Sequence, residues 1–468
     1  GVSHAQGGAK RQACHCMLHT QVYLVGSVAS RRMVVSTVFS RDALDLGWGR
    51  DGEELHSTRG VPPERWCITQ GDLWHLLRKI KEAVQEGVIS PSPIDPTTGR
   101  GDPFDVADKN NGPSMYSVVD RYIRPLTAMA GKMSWALLRH PEGLECDVFI
   151  THCWSEGAYE FIHKVLASWP RGKRHAWCCI LANPQNLDVG GLIQDPRSSP
   201  FAVALQCASH MMVVPTDVCS IYTRIWCCYE AHLACTLDKV VFTATVGPGM
   251  SGWQALTVGL LFSTLGVVLA LRCSLSRVTA QLTVFVCLAL AAAAQLFVRC
   301  RRVSAIPHSV GLCCSTFGFV KIVGAIGGDD SIWSCLWGGV CVDDPVSKRF
   351  RVAVWAVGFG TAAAYFSMAE VDRLYASRAR WEARKLRKSF TSVVDAESSV
   401  ESDRCNILLA IGNQAADVDK SISVLLASGM STSSLRKAAA LGVDVTNMGS
   451  WCLSNSYAAL GMWCDANL

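Results

Sequence analysis

The chain is poor in charge: Asp, Glu, Lys and Arg make up 18% of its 468 residues, against 50% hydrophobic. That balance excludes a disordered or purely solvated chain, which would have too little apolar surface to bury. It also lacks a strong excess of one sign, since 44 basic and 39 acidic residues leave a formal +5. Nucleic acid is therefore not expected as a partner. Cysteine is plentiful at 22 residues but irregularly spaced, and no second ligand pair follows Cys14-His15-Cys16 and His19. A disulfide scaffold is excluded and no metal site is expected; most thiols should pack as small apolar side chains. Length alone suggests about two to four units.

Charge is scarcest in the second half. Between Val240 and Leu271 there is no ionisable side chain, and residues 253–271 are almost continuously apolar. Similar runs cover 278–298, 310–328 (interrupted by Lys321) and 352–369. At about 1.5 Å per residue, about 20 helical residues cross a bilayer core, so these runs predict about four transmembrane helices within 249–371. Basic residues follow the second and fourth runs: Arg299, Arg301 and Arg302, then seven between Arg373 and Lys388. That bias predicts an integral, multi-pass membrane protein with cytosolic N- and C-terminal regions and the lipid bilayer as a partner. Gly358 and Gly360 would allow close helix packing. In the loop before the last run, Cys335 and Cys341 are either a small disulfide or free thiols.

Ahead of these runs, residues 1–140 read as irregular and helical. Residues 72–86 form an amphipathic helix burying Leu73, Leu76, Leu77, Ile80 and Val84, and 114–140 a helix kinked or broken at Pro125. From about 141 to 248 short apolar strands (147–151, 175–182, 210–215, 239–243) alternate with helices (156–169, 200–208, 221–235). This alternation predicts an α/β domain with a parallel sheet covered on both faces. Ligands of such sheets bind beyond the carboxyl ends of the strands, here at the loop 151–157 and the helix after Pro215.

Three stretches of this domain look like a known family. Asp147-Val148-Phe149-Ile150-Thr151-His152 resembles an opening strand D-V-F-[IL]-S-H. Ser199-Pro200, with Ser209 ten residues after Ser199, resembles a second segment. Tyr222-Thr223-Arg224-Ile225-Trp226-Cys227-Cys228-Tyr229-Glu230 is similar to Y-x-S-S-x-W-C-x-x-E, one residue shorter before the Trp. Together, across roughly a fifth of the chain, they resemble the Toll/interleukin-receptor (TIR) domain. The first loop departs from it by carrying Cys153-Trp154-Ser155-Glu156, and 183–198 shows no strand of its own. The resemblance implies a flavodoxin-like parallel sheet, here followed by the transmembrane bundle and a small helical tail.

It also implies chemistry. Some TIR domains cleave NAD at the nicotinamide–ribose bond, and their essential glutamate falls on Glu230. His152, Trp154 and Ser155 would contact ribose, phosphate or base, and Arg224 a pyrophosphate. NAD would then be a substrate rather than a cofactor, and no cofactor is expected. Glu230 is otherwise a carboxylate on an exposed helix face, Arg224 a surface charge, and Trp226 and Cys227 core residues. The expected function is a membrane-anchored TIR-like signalling protein, homo-oligomeric through that domain. The alternatives are a non-catalytic TIR-like interaction scaffold, and a transporter or channel with a regulatory domain. Residues 372–468 read as a basic juxtamembrane segment, a polar linker (389–402) and short helices (405–411, 416–427, 433–441) for self-association or a partner.

Overall fold

The structure, a computed structural model, describes residues 50–95, 101–218, 220–246, 249–272, 277–297, 305–327, 345–387, 390–398 and 400–446. The Cys14-His15-Cys16-His19 cluster and the Cys335–Cys341 pair lie outside them. Six strands form one sheet: β1 (Ile68–Thr69), β2 (Val148–Thr151), β3 (His175–Cys178), β4 (His210–Val213), β5 (Val240–Thr243) and β6 (Met430–Ser431). Their order is β1-β3-β2-β4-β5-β6. β3, β2, β4 and β5 run parallel, with Val148 level with both Ala176 and His210. β1 and β6 add antiparallel edges. The expected parallel sheet is thereby corrected to a mixed one, because both flanking regions supply an edge strand that no local periodicity in two residues could reveal.

The parallel strands are buried on both faces, which explains their unbroken apolar sequences. Alternate residues divide between two cores. Val148, Ile150, Cys178 and Met212 pack with α1 (Gln70–Gln85) and α2 (Ala158–Ala167). Phe149, Trp177, Met211 and Val241 pack with α3 (Pro200–Cys207) and α4 (Ile225–Thr236). Thr69 caps α1 reciprocally with Asp72, and Ser199 caps α3 ahead of Pro200. The segment expected as one strand over 175–182 leaves the sheet at Cys178 and turns into the helix Cys179–Ala182. Around Pro125, which lacks an N–H, the helical path passes through a π turn over Val119–Ile123.

Four long helices follow: α5 (Gly249–Arg272), α6 (Arg277–Phe297), α7 (Ala305–Gly327) and α8 (Pro345–Lys385). α7 packs against the other three. Among the described residues, no helix is long and apolar enough to cross a membrane. The four expected spans, and with them the integral multi-pass placement and its cytosolic termini, are corrected by that finding. Just outside the runs 310–328 and 352–369, polar groups meet between α7 and α8. His308 Nδ1 lies 2.9 Å from Glu370 Oε2, and Arg373 holds the same carboxylate at 2.6 Å. α8 continues unbroken for 41 residues, past its apolar part and into charged sequence that docks on the sheet domain. There Lys164 of α2, buried, pairs with Glu160 at 2.6 Å and Glu382 of α8 at 3.0 Å, while Lys385 reaches Asp217 at 2.8 Å. The glycines at the tight crossings also differ from those expected: a Cβ at Gly266, Gly311 or Gly318 would collide with α7 or α8 atoms, whereas Gly358 and Gly360 stand in open space. The outer faces leave Leu261, Leu271, Leu282 and Val357 exposed.

The tail returns to the sheet. α9 (Glu401–Ile411) and α10 (Ala415–Ser428) cover the Phe149–Trp177 face beside α4, β6 pairs with β5, and α11 (Ser433–Ala440) follows. The tail, expected as a small helical module for self-association or a partner, packs here on the sheet domain of its own chain.

Candidate functional site

Connection order decides where a crevice opens at the sheet edge. The chain goes from β2 to β3 on one side and from β4 to β5 on the other, so the carboxyl ends of β2 and β4 bound a crevice where ligands of such folds sit. The segment after β2 supplies His152 and Trp154. After β4, Ser220 caps the turn Ile221–Thr223 by accepting from Tyr222 N, and Arg224 leads into α4, which carries Trp226 and Glu230. All five of these lining residues border one hollow of about 660 Å³, within the roughly 300–1,000 Å³ range of small-ligand pockets.

Glu230 is buried, 5% exposed, and its Oε2 has no hydrogen-bond partner. Burial pushes its carboxyl up to about 7, with Thr151, His152 and Arg224 opposing the rise. The Thr151 hydroxyl is near enough to favour the ionised form, yet Thr151 Oγ1 also completes no hydrogen bond. A second wall atom, Asn183 Oδ1, is likewise unpartnered. Such atoms cost about 1–3 kcal/mol each when left bare, so two of them in residues lining one hollow are an exception to the usual pairing of buried polar groups.

Arg224 is half-buried and donates from Nη1 to the Tyr116 hydroxyl at 3.2 Å. Trp154 tilts against Tyr116 with ring centres 5.5 Å apart. Trp226 stacks on Phe201 of α3 at 5.0 Å and donates from Nε1 to Asp403 Oδ2 at 3.3 Å. Of the five residues expected from sequence, Glu230, Arg224, His152 and Trp154 come together here, and Ser155 does not line the hollow. Its hydroxyl sits 2.9 Å from Cys153 Sγ. Glu230 is not on an exposed helix face, and Trp226 both packs against the core and forms part of the wall.

His152 is buried with both ring nitrogens engaged: Nδ1 lies 2.7 Å from Glu156 Oε1, and Nε2 lies 3.3 Å from Cys179 Sγ. Burial pushes Glu156 up to about 7, with the imidazole opposing. Sequence reasoning missed Cys179, Asn183 and the tail residues Glu397, Ser398 and Asp403, which close the far side of the hollow. Glu397 is fixed there by two backbone bonds, Ile225 N to its carbonyl at 2.9 Å and its own N to Thr223 O at 2.8 Å. Only a polar stretch, 389–402, marked that position in the sequence, and a polar stretch carries no address. Among the described residues, no His, Cys, Asp or Glu group is arranged to hold a metal ion. No family model, curated protein or solved structure matches the chain.

Proposed function

We propose that the sheet domain is a TIR-like enzyme that binds NAD, or a closely related nucleotide, in this hollow and cleaves its nicotinamide–ribose bond. The observation that carries the reading is Glu230: a buried carboxylate with Oε2 unpartnered, in the wall of a ligand-sized hollow at the crevice between β2 and β4. When the C1′–N bond breaks, its electron pair goes to nicotinamide, which leaves as a neutral molecule. Positive charge then develops on the ribose, and an ionised carboxylate stabilises it most where water is scarce. Water adds to C1′ and loses its proton to solvent.

The other groups bind and orient. Arg224 presents a permanently charged fork to the pyrophosphate. Trp154, Phe201 and Trp226 offer aromatic faces for a base. Asn183 Oδ1 accepts from a ribose hydroxyl or the carboxamide. His152 keeps Nδ1 on Glu156 and Nε2 on Cys179.

Incubating the full chain with NAD and separating nicotinamide by chromatography tests this. Wild type releases nicotinamide, and Glu230→Gln loses at least about a hundredfold of the rate, as expected for the main charge-stabilising group. Arg224→Lys mainly raises KM, roughly tenfold, because an ammonium cannot reproduce the bidentate fork. If the wild-type chain releases none, even under crowding that favours self-association, the non-catalytic interaction module replaces this reading.

A further inference from the structure

We propose that Cys179, His152 and Glu156 form a nucleophile, base and orienting carboxylate that take an acyl group from an ester or thioester entering the hollow. This activity goes beyond nucleotide cleavage and does not depend on it. The geometry is a chain of two hydrogen bonds. Cys179 Sγ–H donates to His152 Nε2 at 3.3 Å, and His152 Nδ1–H donates to Glu156 Oε1 at 2.7 Å, with the tautomer assigned from these partners. This is the order in which a weak nucleophile is activated by a base that a third group holds in place.

Burial separates the three roles. Glu156 and His152 are 1% and 4% exposed, so they meet each other rather than solvent. Cys179 is half-exposed, a free thiol, and lines the hollow together with His152, whereas its neighbour Cys178 is buried in the sheet. A histidine and a glutamate in a core are costly unless they pair, and apolar residues of the same volume would pack there at no such cost. Their placement behind a thiol at a cavity wall is explained by work on that thiol. The charged and titratable groups facing His152 are Glu156 from its own loop, Cys178 and Cys179 from β3 and the turn after it, and Glu230 from α4. Glu156 on Nδ1 holds the imidazole with Nε2 facing the thiol, where it can take the proton.

In the reaction, Cys179 Sγ gives its proton to His152 Nε2 and attacks the carbonyl carbon. The S–C bond forms and the bond to the alkoxide or thiolate breaks, and His152 returns the proton to that leaving group. Water, deprotonated by the same nitrogen, then attacks the thioester, releases the carboxylic acid and restores the thiol. No oxidant or cofactor is consumed.

The test uses the full chain and two probes, with each cysteine read separately by peptide mass spectrometry. With iodoacetamide at pH 6.5, Cys179 is expected to alkylate at least on the order of tenfold faster than the exposed Cys405 of the same molecule. With p-nitrophenyl acetate, a stoichiometric burst of nitrophenolate should leave the acetyl group on Cys179, and Cys179→Ser should lose both. Glu156→Gln should slow the alkylation of Cys179 while leaving that of Cys405 unchanged. The wild-type comparisons stand even if that variant fails to fold. The proposal is overturned if Cys179 reacts no faster than Cys405 with either probe. Nicotinamide release plays no part in any of these readouts, so neither reading fails with the other.

Discussion

Replacing Glu230 by glutamine should make the protein more stable, and by an amount that depends on pH. In the folded chain burial holds this carboxyl at about 7, against an ordinary value of 4.5. Below the ordinary value it is neutral in both states and its burial costs no ionisation energy. As pH rises from there, the unfolded chain loses its proton first, so stability falls by about 1.4 kcal/mol per unit until the folded carboxyl also ionises. The loss is therefore about 1 kcal/mol at pH 5 and about 3 kcal/mol at pH 8. Glutamine has nearly the same shape and never ionises, so Glu230→Gln should exceed wild type by those amounts. Glu156, also raised to about 7, is present in both proteins and largely drops out of the difference. Denaturant unfolding at pH 5 and pH 8, followed by tryptophan fluorescence, measures it, provided both proteins unfold with the same slope. A difference that stays flat across that range, or favours wild type at pH 8, would refute the burial of a bare carboxylate. The same substitution is the one that should abolish nicotinamide release, and gaining stability while losing activity is the usual mark of a strained functional site.

Other consequences follow from the same geometry. Because the acting carboxylate must be ionised, kcat/KM for nicotinamide release should rise with pH through about 7 in its acidic limb, and a flat profile from pH 5 to 8 removes Glu230 from that role. Lys164→Met should destabilise the fold by less than the about 3–5 kcal/mol of a fully unpaired buried charge, because Lys385 stays 3.2 Å from Glu382, and adding Glu382→Gln should restore much of that; if the two changes are simply additive, the ion pair does not hold α8 to α2. Gly429 closes α10 at φ +83°, and a Cβ there would stand 2.9 Å from Ala379 of α8. Gly429→Ala should accordingly lower the melting temperature, by the equivalent of about 1–2 kcal/mol or more; an unchanged melting curve would place that turn away from α8.

Much of the sheet domain was legible because its signals are local. β2, β4 and β5 announce themselves as short apolar runs buried on both faces, and Ser199-Pro200 marks the start of α3 by capping chemistry alone. Glu230, Arg224, His152 and Trp154 could be gathered at one edge because connection order decides where strand ends meet. What was not legible is pairing over long separations. Two-residue strands such as β1 and β6 carry no period, and Asp403 meets Trp226 across 177 positions of sequence. Cys179 was hidden by a break in a run that stays apolar through Ala182, where nothing in residue type separates strand from helix. The meeting of His308 with Glu370 and Arg373, at the ends of the apolar runs 310–328 and 352–369, was hidden for a related reason, since a hydropathy window does not register pairing between α7 and α8.

The unit that carries the site is therefore wider than the stretch that carries its motifs. One face of β2, β3, β4 and β5 is covered by α3 and α4 but also by α9 and α10, so a fragment ending near 246 would bare the flank where Ile407, Ile411, Val418 and Ile422 now pack. It would also lose Glu397, which extends the backbone pairing at Thr223 and Ile225, and Asp403, which holds the Trp226 indole. Both contacts lie on the turn that aims Arg224 and the first residues of α4 into the hollow. Through α8, whose Glu382 meets Lys164 behind the sheet, the helical bundle is joined to the same body. A shift of the bundle or the tail thus bears on the hollow through covalent chain and buried ion pairs, without any change in the motifs themselves.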